Sequence, residues 1–271
     1  MAKRVRAALI GAGRMGGALL ERWLEAGFEG SEVLVVDPNP GERTQAAVKK
    51  HGARLEAEWP EGVEADVVMM GVKPQMMDKV GGAVAGKINE DAVILSIAAG
   101  RTIASLQAVF GERGVIRVMP NTPVAIGAGV CGFVCADNVT DDQKAKARSV
   151  LEPGGFVAEV ETENQLDALT AVSGSGPAYI FLFAEALAGA ARAQDLPEEL
   201  ASQLAQQTVI GAALFMQAEG KDPADMRKEV TSPGGTTAAA LDVLSQNTDT
   251  LPRLVRTAVD AAARKAKELG R

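Results

Sequence analysis

The sequence is poor in the side chains that most often act as catalytic acids, bases and nucleophiles. Its 271 residues include one histidine, one tyrosine and two cysteines. His51 precedes Gly52 at a predicted helix end, a surface position, and Tyr179 lies in an apolar helical segment where packing is the simpler role. Reductases that use a His–carboxylate or a Tyr–Lys acid are therefore disfavoured. Hydride transfer to a C=N bond fits, because a protonated imine is a strong electrophile that mainly needs orientation.

Strong positive charge and long hydrophobic runs are also missing. The formal net charge is −7, which disfavours nucleic acid as a partner, because phosphate binding requires a basic face. The longest apolar candidate, residues 179–191, is shorter than the roughly 20 residues that span a bilayer and contains Glu185. Arg14 and Glu21 follow the first apolar run too soon for a secretory signal. We expect a cytoplasmic protein with no nucleic-acid or membrane partner.

The two cysteines, Cys131 and Cys135, lie in the apolar segment GVCGFVCA. A CxxxC spacing without a neighbouring histidine is a poor metal site. We predict buried, reduced thiols and no metal centre.

The first part of the chain alternates short β-branched runs with helical segments. Most of these runs are apolar on both faces, as buried strands of a parallel sheet are. Residues 129–136 and 155–160 look like two closing strands, an antiparallel extension. Strand–helix alternation indicates βαβ units. We predict an α/β fold with a Rossmann doubly wound sheet over residues 1–162, its main strands at 5–11, 32–37, 66–72, 92–99 and 114–120.

From about residue 164 the strand patterns stop and helical patterns follow one another. Pro177, Pro197 and Pro252 stand at first-turn positions. Several of these helices are apolar around most of their circumference, which requires burial against another surface. So short a segment offers them only a thin core. We predict an all-helical domain over residues 163–271 that self-associates as a homodimer or a larger assembly.

A GxGxxG motif follows the first predicted strand and opens a helix. In this context Gly11-Ala12-Gly13-Arg14-Met15-Gly16 is the dinucleotide-binding fingerprint. Gly11 permits the tight turn, Gly13 lets the backbone approach the pyrophosphate, and Gly16 allows close helix–strand packing. The helix N-terminus attracts the anion.

The choice between NAD and NADP depends on the end of the second predicted strand. Asp37 is placed there to accept hydrogen bonds from the ribose hydroxyls and would repel a 2′-phosphate. Asn39 or Arg43 in the following PNPGER segment could hold that phosphate if Asp37 turned aside. Both cofactors therefore remain open on these residues.

Three further strand ends contribute to the same edge of the sheet, where ligands of such folds bind. GVKPQ (71–75) and SIAAG (96–100) carry small residues that let a cofactor approach the backbone. Lys73 could reach a phosphate or a substrate carboxylate, or could be a solvated surface lysine. RVMPNTP (117–123) presents Asn121 and Thr122 to the crevice, unless it is a purely structural turn.

The helical half is interrupted by VTSPGGTT, residues 230–237. Ser232-Pro233-Gly234-Gly235 can curl so that backbone N–H groups converge at the start of the next helix, which makes an anion-binding site. The hydroxyls of Ser232, Thr236 and Thr237 add donors. No P-loop lysine is present, so a small carboxylate fits better than a nucleotide. The alternative is an ordinary capped turn between helices.

Six motifs occur in the order found in one enzyme family: GAGRMG, GVKP, SIAAG, MPNTP, GSGPAY (174–179) and VTSPGGTT. With these motifs the sequence resembles the pyrroline-5-carboxylate reductases over essentially the whole chain. The resemblance implies an N-terminal Rossmann domain, a C-terminal helical dimerisation domain and often a ring of five dimers, a decamer. It implies reduction of 1-pyrroline-5-carboxylate to L-proline by NAD(P)H.

The resemblance also implies roles for individual residues. Thr237 would hydrogen-bond the ring nitrogen as the catalytic candidate, and Glu219 matches an acidic position near the substrate. The substrate loop is expected to face a cofactor at the partner subunit's interface. Family members often have Asn, Ser or Thr near Asp37, so NADPH is expected, with NADH as the alternative. From the resemblance, the substrate residues would be Glu219, Ser232, Gly235, Thr236 and Thr237, and the cofactor residues would be Ile10, Gly11, Ala12, Gly13, Arg14, Met15, Gly71, Val72, Lys73, Pro74, Ile97, Ala98 and Ala99. The motifs themselves add Gly234 to the substrate residues and Gly16, Asp37 and Asn121 to the cofactor residues.

Two other functions are compatible with a Rossmann domain followed by helices. Hydroxyacid dehydrogenases use a lysine base at the start of the helical domain, but the corresponding run NQLDALTAVSGSGP contains no lysine. A non-catalytic NAD(P)-binding sensor would bind cofactor without turnover and would have no need of a carboxylate site. The sequence therefore favours the imine reductase.

Overall fold

A computed structural model describes residues 3–246 and 250–270. It contains one sheet of eight strands and a series of helices, with every strand before residue 160. The strands are β1 Lys3–Ile10, β2 Val33–Val36, β3 Arg54–Glu56, β4 Val63–Met70, β5 Val93–Ser96, β6 Val115–Pro120, β7 Gly129–Cys135 and β8 Gly155–Glu159. The helices are α1 Arg14–Glu25, α2 Glu42–His51, α3 Met77–Ala85, α4 Ile103–Phe110, α5 Asp141–Leu151, α6 Glu163–Leu169, α7 Gly176–Arg192, α8 Glu198–Glu219, α9 Pro223–Glu229, α10 Thr236–Gln246 and α11 Leu251–Leu269.

The sheet has the order β3-β2-β1-β4-β5-β6-β7-β8. Strands β1 to β6 are mutually parallel, β7 runs antiparallel to β6, and β8 is parallel to β7. The predicted α/β class, the parallel sheet and the antiparallel extension are thereby confirmed. Strand β3 was not predicted, because its sequence Arg-Leu-Glu supplies only one apolar residue.

Each face of the sheet is covered by a separate hydrophobic core. One core gathers Trp23 of α1 and Phe133 of β7, and the other gathers Met77 of α3 and Phe110 of α4. Successive strand residues point to opposite faces of the sheet. Because both faces are covered, strands β2 and β5 are buried along their whole length. Continuous apolar runs in the sequence are the direct result of this two-sided burial.

The chain forms two compact units. The first contains the sheet and comprises the residues up to Gly174 together with those from Ala262 onward; the second comprises Ser175–Ala261. Helix α6 belongs to the sheet unit, because Arg117 of β6 donates to Glu163 and Asp167, each at 2.9 Å. The predicted domain boundary at 162/163 lies twelve residues before the division between the units, at 174/175, and stays a prediction.

The helical unit buries very little of its own apolar surface. Across α7 and α8 only Ala188, Ala201 and Ala205 are buried, and α10 has no buried residue among those described. Large apolar side chains are instead exposed, and Phe181 and Leu214 retain 67% and 59% of their surface. Such a unit needs a further surface to cover it.

By length and composition alone, the helical stretch Glu163–Arg192 could cross a membrane, which the sequence prediction did not anticipate. Its most apolar window has a mean hydropathy of 1.2 and is 11% buried. Within this stretch a π-helical turn at Thr170–Gly174 follows α6. Helices that line an oligomer interface share these properties.

Both cysteines are free, with Cys131 buried and Cys135 half-buried. Burial raises the pKa of the Cys131 thiol to about 12 and that of Cys135 to about 11. Both thiols are therefore protonated and unreactive at neutral pH. Cys135 is more accessible than the prediction of two buried thiols required, because it lies near the end of β7.

Candidate functional site

The strand order reverses between β1 and β4, which is where ligands bind in open α/β sheets. The register pairs Ile10 with Met70, so both strands end at the same level. The next residues then lie side by side, and the Gly71 N–H donates to the Ile10 carbonyl at 2.8 Å. The GAGRMG and GVKP motifs therefore meet at the switch point.

Glycine is required where these two loops touch. A Cβ at Gly71 would lie 2.4 Å from the Gly11 carbonyl oxygen, and a Cβ at Gly16 would lie 2.6 Å from the same atom. Gly11 itself has φ +86°, a conformation that L side chains rarely adopt. A Cβ at Gly13, in contrast, would have no neighbour within 4 Å. Gly13 thus leaves free space above the backbone, as a pyrophosphate requires.

Helix α1 begins immediately after this free space. Gly13 is its N-cap residue and offers no side chain to the first-turn N–H groups. These N–H groups have no acceptor within the helix, and the first turn contains no acidic residue. The helix N-terminus is consequently available to an anion.

Asp37 follows β2 and lies against the glycine-rich loop. Its Oδ2 accepts a hydrogen bond from the Ala12 N–H at 2.7 Å, and its Oδ1 accepts one from the Asn39 N–H at 2.8 Å. These two bonds fix the carboxylate and leave a second lone pair on each oxygen. The rotation of Asp37 that the sequence left open would break both bonds.

A cavity of 720 Å³ opens at the switch point within the sheet unit. This volume is in the range of small-molecule and cofactor sites. The cavity brings together seven of the predicted cofactor residues. They are Ile10, Gly11, Gly13, Asp37, Gly71, Val72 and Lys73.

Other predicted cofactor residues are not part of this cavity's lining. Ala12 and Arg14 line a neighbouring cavity of 290 Å³. The Ile97 N–H donates to the Met70 carbonyl, which places the SIAAG segment next to β4. The remaining members of this group are Met15, Gly16, Pro74, Ala98 and Ala99.

Asn121, another predicted cofactor residue, has its side-chain amide bonded within the protein. Its side chain is 7% exposed and does not line the cavity. Its Nδ2 donates to the Ser173 carbonyl at 3.0 Å, and its Oδ1 accepts from the Val130 N–H at 2.8 Å. The amide therefore holds the turn after β6 in place, and the structural alternative is the one that the geometry supports.

Part of the cavity wall was missed by sequence reasoning. Ala57, Glu58 and Trp59 follow the unpredicted strand β3 and line the cavity together with Lys79 and Lys87 around α3. One sequence signal could have indicated β3. Gly52 is typical of a left-handed helix C-cap, which ends α2 and allows a short strand to begin directly after it. Without β3, nothing in the sequence placed this loop near Asp37.

The VTSPGGTT segment of the helical unit forms a tight turn before α10. The Gly235 N–H donates to the Ser232 carbonyl at 3.0 Å, and Gly234 has φ +69°. Proline followed by a positive-φ glycine is the pattern of a type II turn. The Gly235 carbonyl then accepts from the Ala239 N–H at 3.2 Å, which begins the helix.

This geometry changes which backbone groups can bind an anion. The N–H of Gly235 is used inside the turn, whereas the N–H groups of Thr236, Thr237 and Ala238 lie in the first turn of α10, where no helical acceptor exists. Thr236 and Thr237 are both accessible to solvent. The donors at this loop are therefore the helix N-terminus and the hydroxyls of Ser232, Thr236 and Thr237.

Glu219 ends α8 and lies beside an exposed lysine. Lys221 Nζ is 3.1 Å from a carboxylate oxygen of Glu219 and 3.1 Å from one of Glu229. These carboxylates raise the pKa of Lys221. The acidic side chain predicted near the substrate is thus partly neutralised by its neighbour.

Comparison with known proteins gives consistent matches along the chain. Residues 163–269 match the family model described as pyrroline-5-carboxylate reductase dimerisation, and residues 6–100 match that described as NADP oxidoreductase, coenzyme F420-dependent. The chain is 38% identical to a pyrroline-5-carboxylate reductase of Synechocystis sp. over 98% of this chain and 99% of that protein. It is 38% identical to that of Pseudomonas aeruginosa over 97% of this chain and 96% of that protein.

Two solved structures have the same overall fold. A pyrroline-5-carboxylate reductase from Coxiella burnetii superposes with a TM-score of 0.92 at 33% identity, covering 98% of this chain and 99% of that chain. A Plasmodium falciparum pyrroline carboxylate reductase with NADP bound superposes with a TM-score of 0.82 at 26% identity, covering 100% of both chains.

Proposed function

The chain belongs to the pyrroline-5-carboxylate reductase family, and from this premise we propose how its own residues carry out the family's reaction. The protein reduces 1-pyrroline-5-carboxylate to L-proline, the last step of proline biosynthesis. NADPH is the cofactor, with NADH as the alternative, and it supplies the hydride. The main observation in support of this function is the glycine-lined switch point, where a dinucleotide can bind. The chain also matches these reductases over nearly its full length.

The switch-point cavity fits a dinucleotide. Free space over Gly13 and the uncapped start of α1 would receive the pyrophosphate. Asp37, already oriented by two backbone N–H groups, would accept from the adenosine ribose. Gly71 and Lys73 border the same cavity from β4. The residues present therefore suit a dinucleotide on geometry, and on charge the Asp37 carboxylate suits a ribose that carries no 2′-phosphate.

The substrate site is proposed at the start of α10. The N–H groups of the first turn and the Ser232 hydroxyl would hold the carboxylate, while Gly234 and Gly235 shape the turn that presents them. Thr236 and Thr237 would orient the ring. Glu219 would complete the site from the end of α8.

Within that site, Thr237 is proposed as the catalytic residue. Its hydroxyl would hydrogen-bond the ring nitrogen and so orient the C=N bond for reduction. Orientation by hydrogen bonds suffices because an iminium carbon needs no further activation, and the single histidine, His51, ends helix α2.

Self-association follows from the dimerisation domain and from the exposed apolar helices. We propose a homodimer as the basic unit and a ring of five dimers as the assembled form. We further propose that the protein is cytoplasmic and acts without nucleic-acid partners, since its acidic charge disfavours phosphate binding. We also propose that it has no membrane partner and that the apolar stretch Glu163–Arg192 contributes to the interface between copies of the chain.

The direct test is the oxidation of NADPH and of NADH, measured separately by their nicotinamide absorbance with 1-pyrroline-5-carboxylate as substrate. We expect turnover that depends on this substrate and produces proline. A full-chain, folded preparation that binds cofactor but oxidises neither form in its presence would contradict the function and favour a non-catalytic binding protein.

Thr237→Ala is expected to reduce kcat with 1-pyrroline-5-carboxylate by about 100-fold, the usual effect of removing one transition-state hydrogen bond. Cofactor affinity should be unchanged, because the switch-point cavity lies in the other unit. Thr237→Ser keeps the hydroxyl and should restore most of the rate.

Thr236→Ala is the matched control, one residue earlier in the same helical turn. It should lose less kcat than Thr237→Ala. Undiminished turnover in Thr237→Ala would remove Thr237 from the mechanism, and a larger loss in Thr236→Ala would assign the role to Thr236 instead.

A further inference from the structure

The cavity of 290 Å³ lies on the α1 and α2 side of the switch-point cavity, and Gly13 and Asp37 line both. Its walls come from the glycine-rich loop, the first half of α1, the first turn of α2 and the segment after β2. The charged and polar side chains in it are Arg14, Glu21, Asp37, Asn39, Arg43 and Thr44.

This cavity is where a 2′-phosphate would be recognised. In a dinucleotide-binding fold the carboxylate after the second strand faces the ribose hydroxyls, and a nearby arginine accommodates a 2′-phosphate. Asp37 is the carboxylate here, held at 2.7 Å by the Ala12 N–H. Arg43 lies in the wall of the adjoining cavity. A phosphate on the 2′ oxygen would thus enter a space that already contains a guanidinium.

The guanidinium of Arg43 is bound to another acid. Its Nε donates to Glu21 Oε1 at 2.5 Å, and its Nη2 donates to Glu21 Oε2, a two-point pairing. The Arg43 side chain is 73% exposed and that of Glu21 only 13%. Glu21 is therefore the fixed member, packed on α1, and Arg43 is the member that can move.

We propose that Glu21 is a cofactor-specificity residue that lowers the affinity for a 2′-phosphate by holding Arg43. The pairing occupies the Nε N–H and an Nη2 N–H of Arg43 and holds the guanidinium on Glu21. The carboxylate also adds a negative charge beside Asp37 in the same cavity. Both effects favour NADH relative to NADPH, while the rest of the dinucleotide site is unaffected. This inference rests on the proposed function, because it assumes that a dinucleotide occupies the switch point.

The first experiment measures binding without catalysis. Isothermal titration of the full chain with 2′,5′-ADP and with 5′-AMP would compare the phosphorylated and the unphosphorylated ribose. Glu21→Gln should lower the Kd for 2′,5′-ADP about fivefold, the size expected of one charge pair of which only one member is exposed. The Kd for 5′-AMP should stay constant. In an Arg43→Gln background the gain from Glu21→Gln should be smaller, because no arginine is released and only the removal of the Glu21 charge remains.

The matched control is Glu25→Gln. It removes the same charge one helical turn later on α1, and Glu25 does not line the 290 Å³ cavity. It should leave the ratio of the two Kd values unchanged. An equal gain in affinity for 2′,5′-ADP in Glu25→Gln would show that any negative charge on α1 has this effect, contrary to a specific role of Glu21. An unchanged affinity for 2′,5′-ADP in Glu21→Gln would overturn the proposal.

A kinetic measurement separates this inference from the proposed function. The ratio of kcat/KM for NADPH to that for NADH, with 1-pyrroline-5-carboxylate, should rise in Glu21→Gln through KM rather than kcat. If Glu21→Gln turns over substrate with an unchanged ratio of the two kcat/KM values, the role of Glu21 is rejected and the proposed function stands. Absence of turnover in the unmodified protein, with 2′,5′-ADP binding intact, would reject the proposed function alone.

Discussion

At the scale of single residues, the site depends on one backbone carbonyl. The carbonyl oxygen of Gly11 lies between Gly16 and Gly71, and a Cβ on either neighbour would come within 2.6 Å of it. The two motifs that meet at the switch point are therefore sterically coupled. Neither loop can accept a side chain there without moving the other, which explains glycine at both positions.

Gly71→Ala is expected to displace the Gly11 loop. The cost should be about 2 kcal/mol of unfolding free energy, in the range of overpacking, and cofactor affinity should fall at least about tenfold because the pyrophosphate loop moves. Denaturant unfolding and titration with NADPH would measure the two effects.

Gly82→Ala is the control for that substitution. Gly82 lies in helix α3, and a Cβ there would have no neighbour within 4 Å, so alanine should be neutral or slightly stabilising. Wild-type stability and cofactor affinity in Gly71→Ala would show that the loops can separate at no cost, contrary to the packing argument.

At the scale of elements, helix α6 connects the sheet to the chain that follows. Its seven residues bring Glu163 and Asp167 to the buried Arg117, and Glu163 also accepts from the Ile103 N–H at 3.0 Å. So short a helix has little stability of its own. A capping box fixes its start, in which Thr162 Oγ1 accepts from the Gln165 N–H.

Thr162→Ala should therefore lower the unfolding free energy of the sheet unit by about 1 kcal/mol, the usual value of an N-cap residue. Thr162→Ser retains the acceptor oxygen and should behave like the unmodified protein. Urea unfolding followed by tryptophan fluorescence is suitable, because Trp23 and Trp59 both lie buried in the sheet unit. Equal midpoints for the alanine and serine variants would show that the arginine network alone positions α6.

At the scale of the whole molecule, the two units differ in how they are stabilised. The sheet unit has a core on each face. The helical unit exposes most of its large apolar side chains, so its stability depends on contact with another copy of the chain. The exposed large apolar side chains of the helical unit are Ile180, Phe181, Leu182, Phe183, Leu196, Leu200, Leu204, Ile210, Leu214, Phe215, Met216, Val230, Val243, Leu244, Leu251, Leu254 and Val255.

Phe181→Gln should shift the protein towards smaller species and lower its Tm, because it removes a large apolar side chain from the predicted interface. Phe156→Gln is the matched control. Phe156 is 70% exposed on β8 of the sheet unit, so the same substitution is made outside the helical unit. Sedimentation velocity over a range of protein concentrations would measure the species present. An unchanged distribution in Phe181→Gln, or an equal shift in Phe156→Gln, would place the interface elsewhere.

The sequence by itself determined the α/β class, the parallel strands, the antiparallel extension and the glycine fingerprint. These follow from local rules: two-sided burial produces continuous apolar runs, and a tight turn against a helix requires glycine at fixed spacing. The same local reasoning located the turn before α10, since Pro233 and Gly234 define its type wherever the segment lies.

The tertiary structure alone decided which polar groups are free. The sequence shows an amide at Asn121, but only the structure shows that this amide bonds to the Ser173 carbonyl. Gly235 belongs to the predicted anion-binding segment, but its N–H is used inside the turn. Glu21 and Arg43 are separated by 22 residues yet form one ion pair. Hydrogen-bond partners depend on distances of about 3 Å between groups far apart in sequence, and only the packed helices and strands fix those distances.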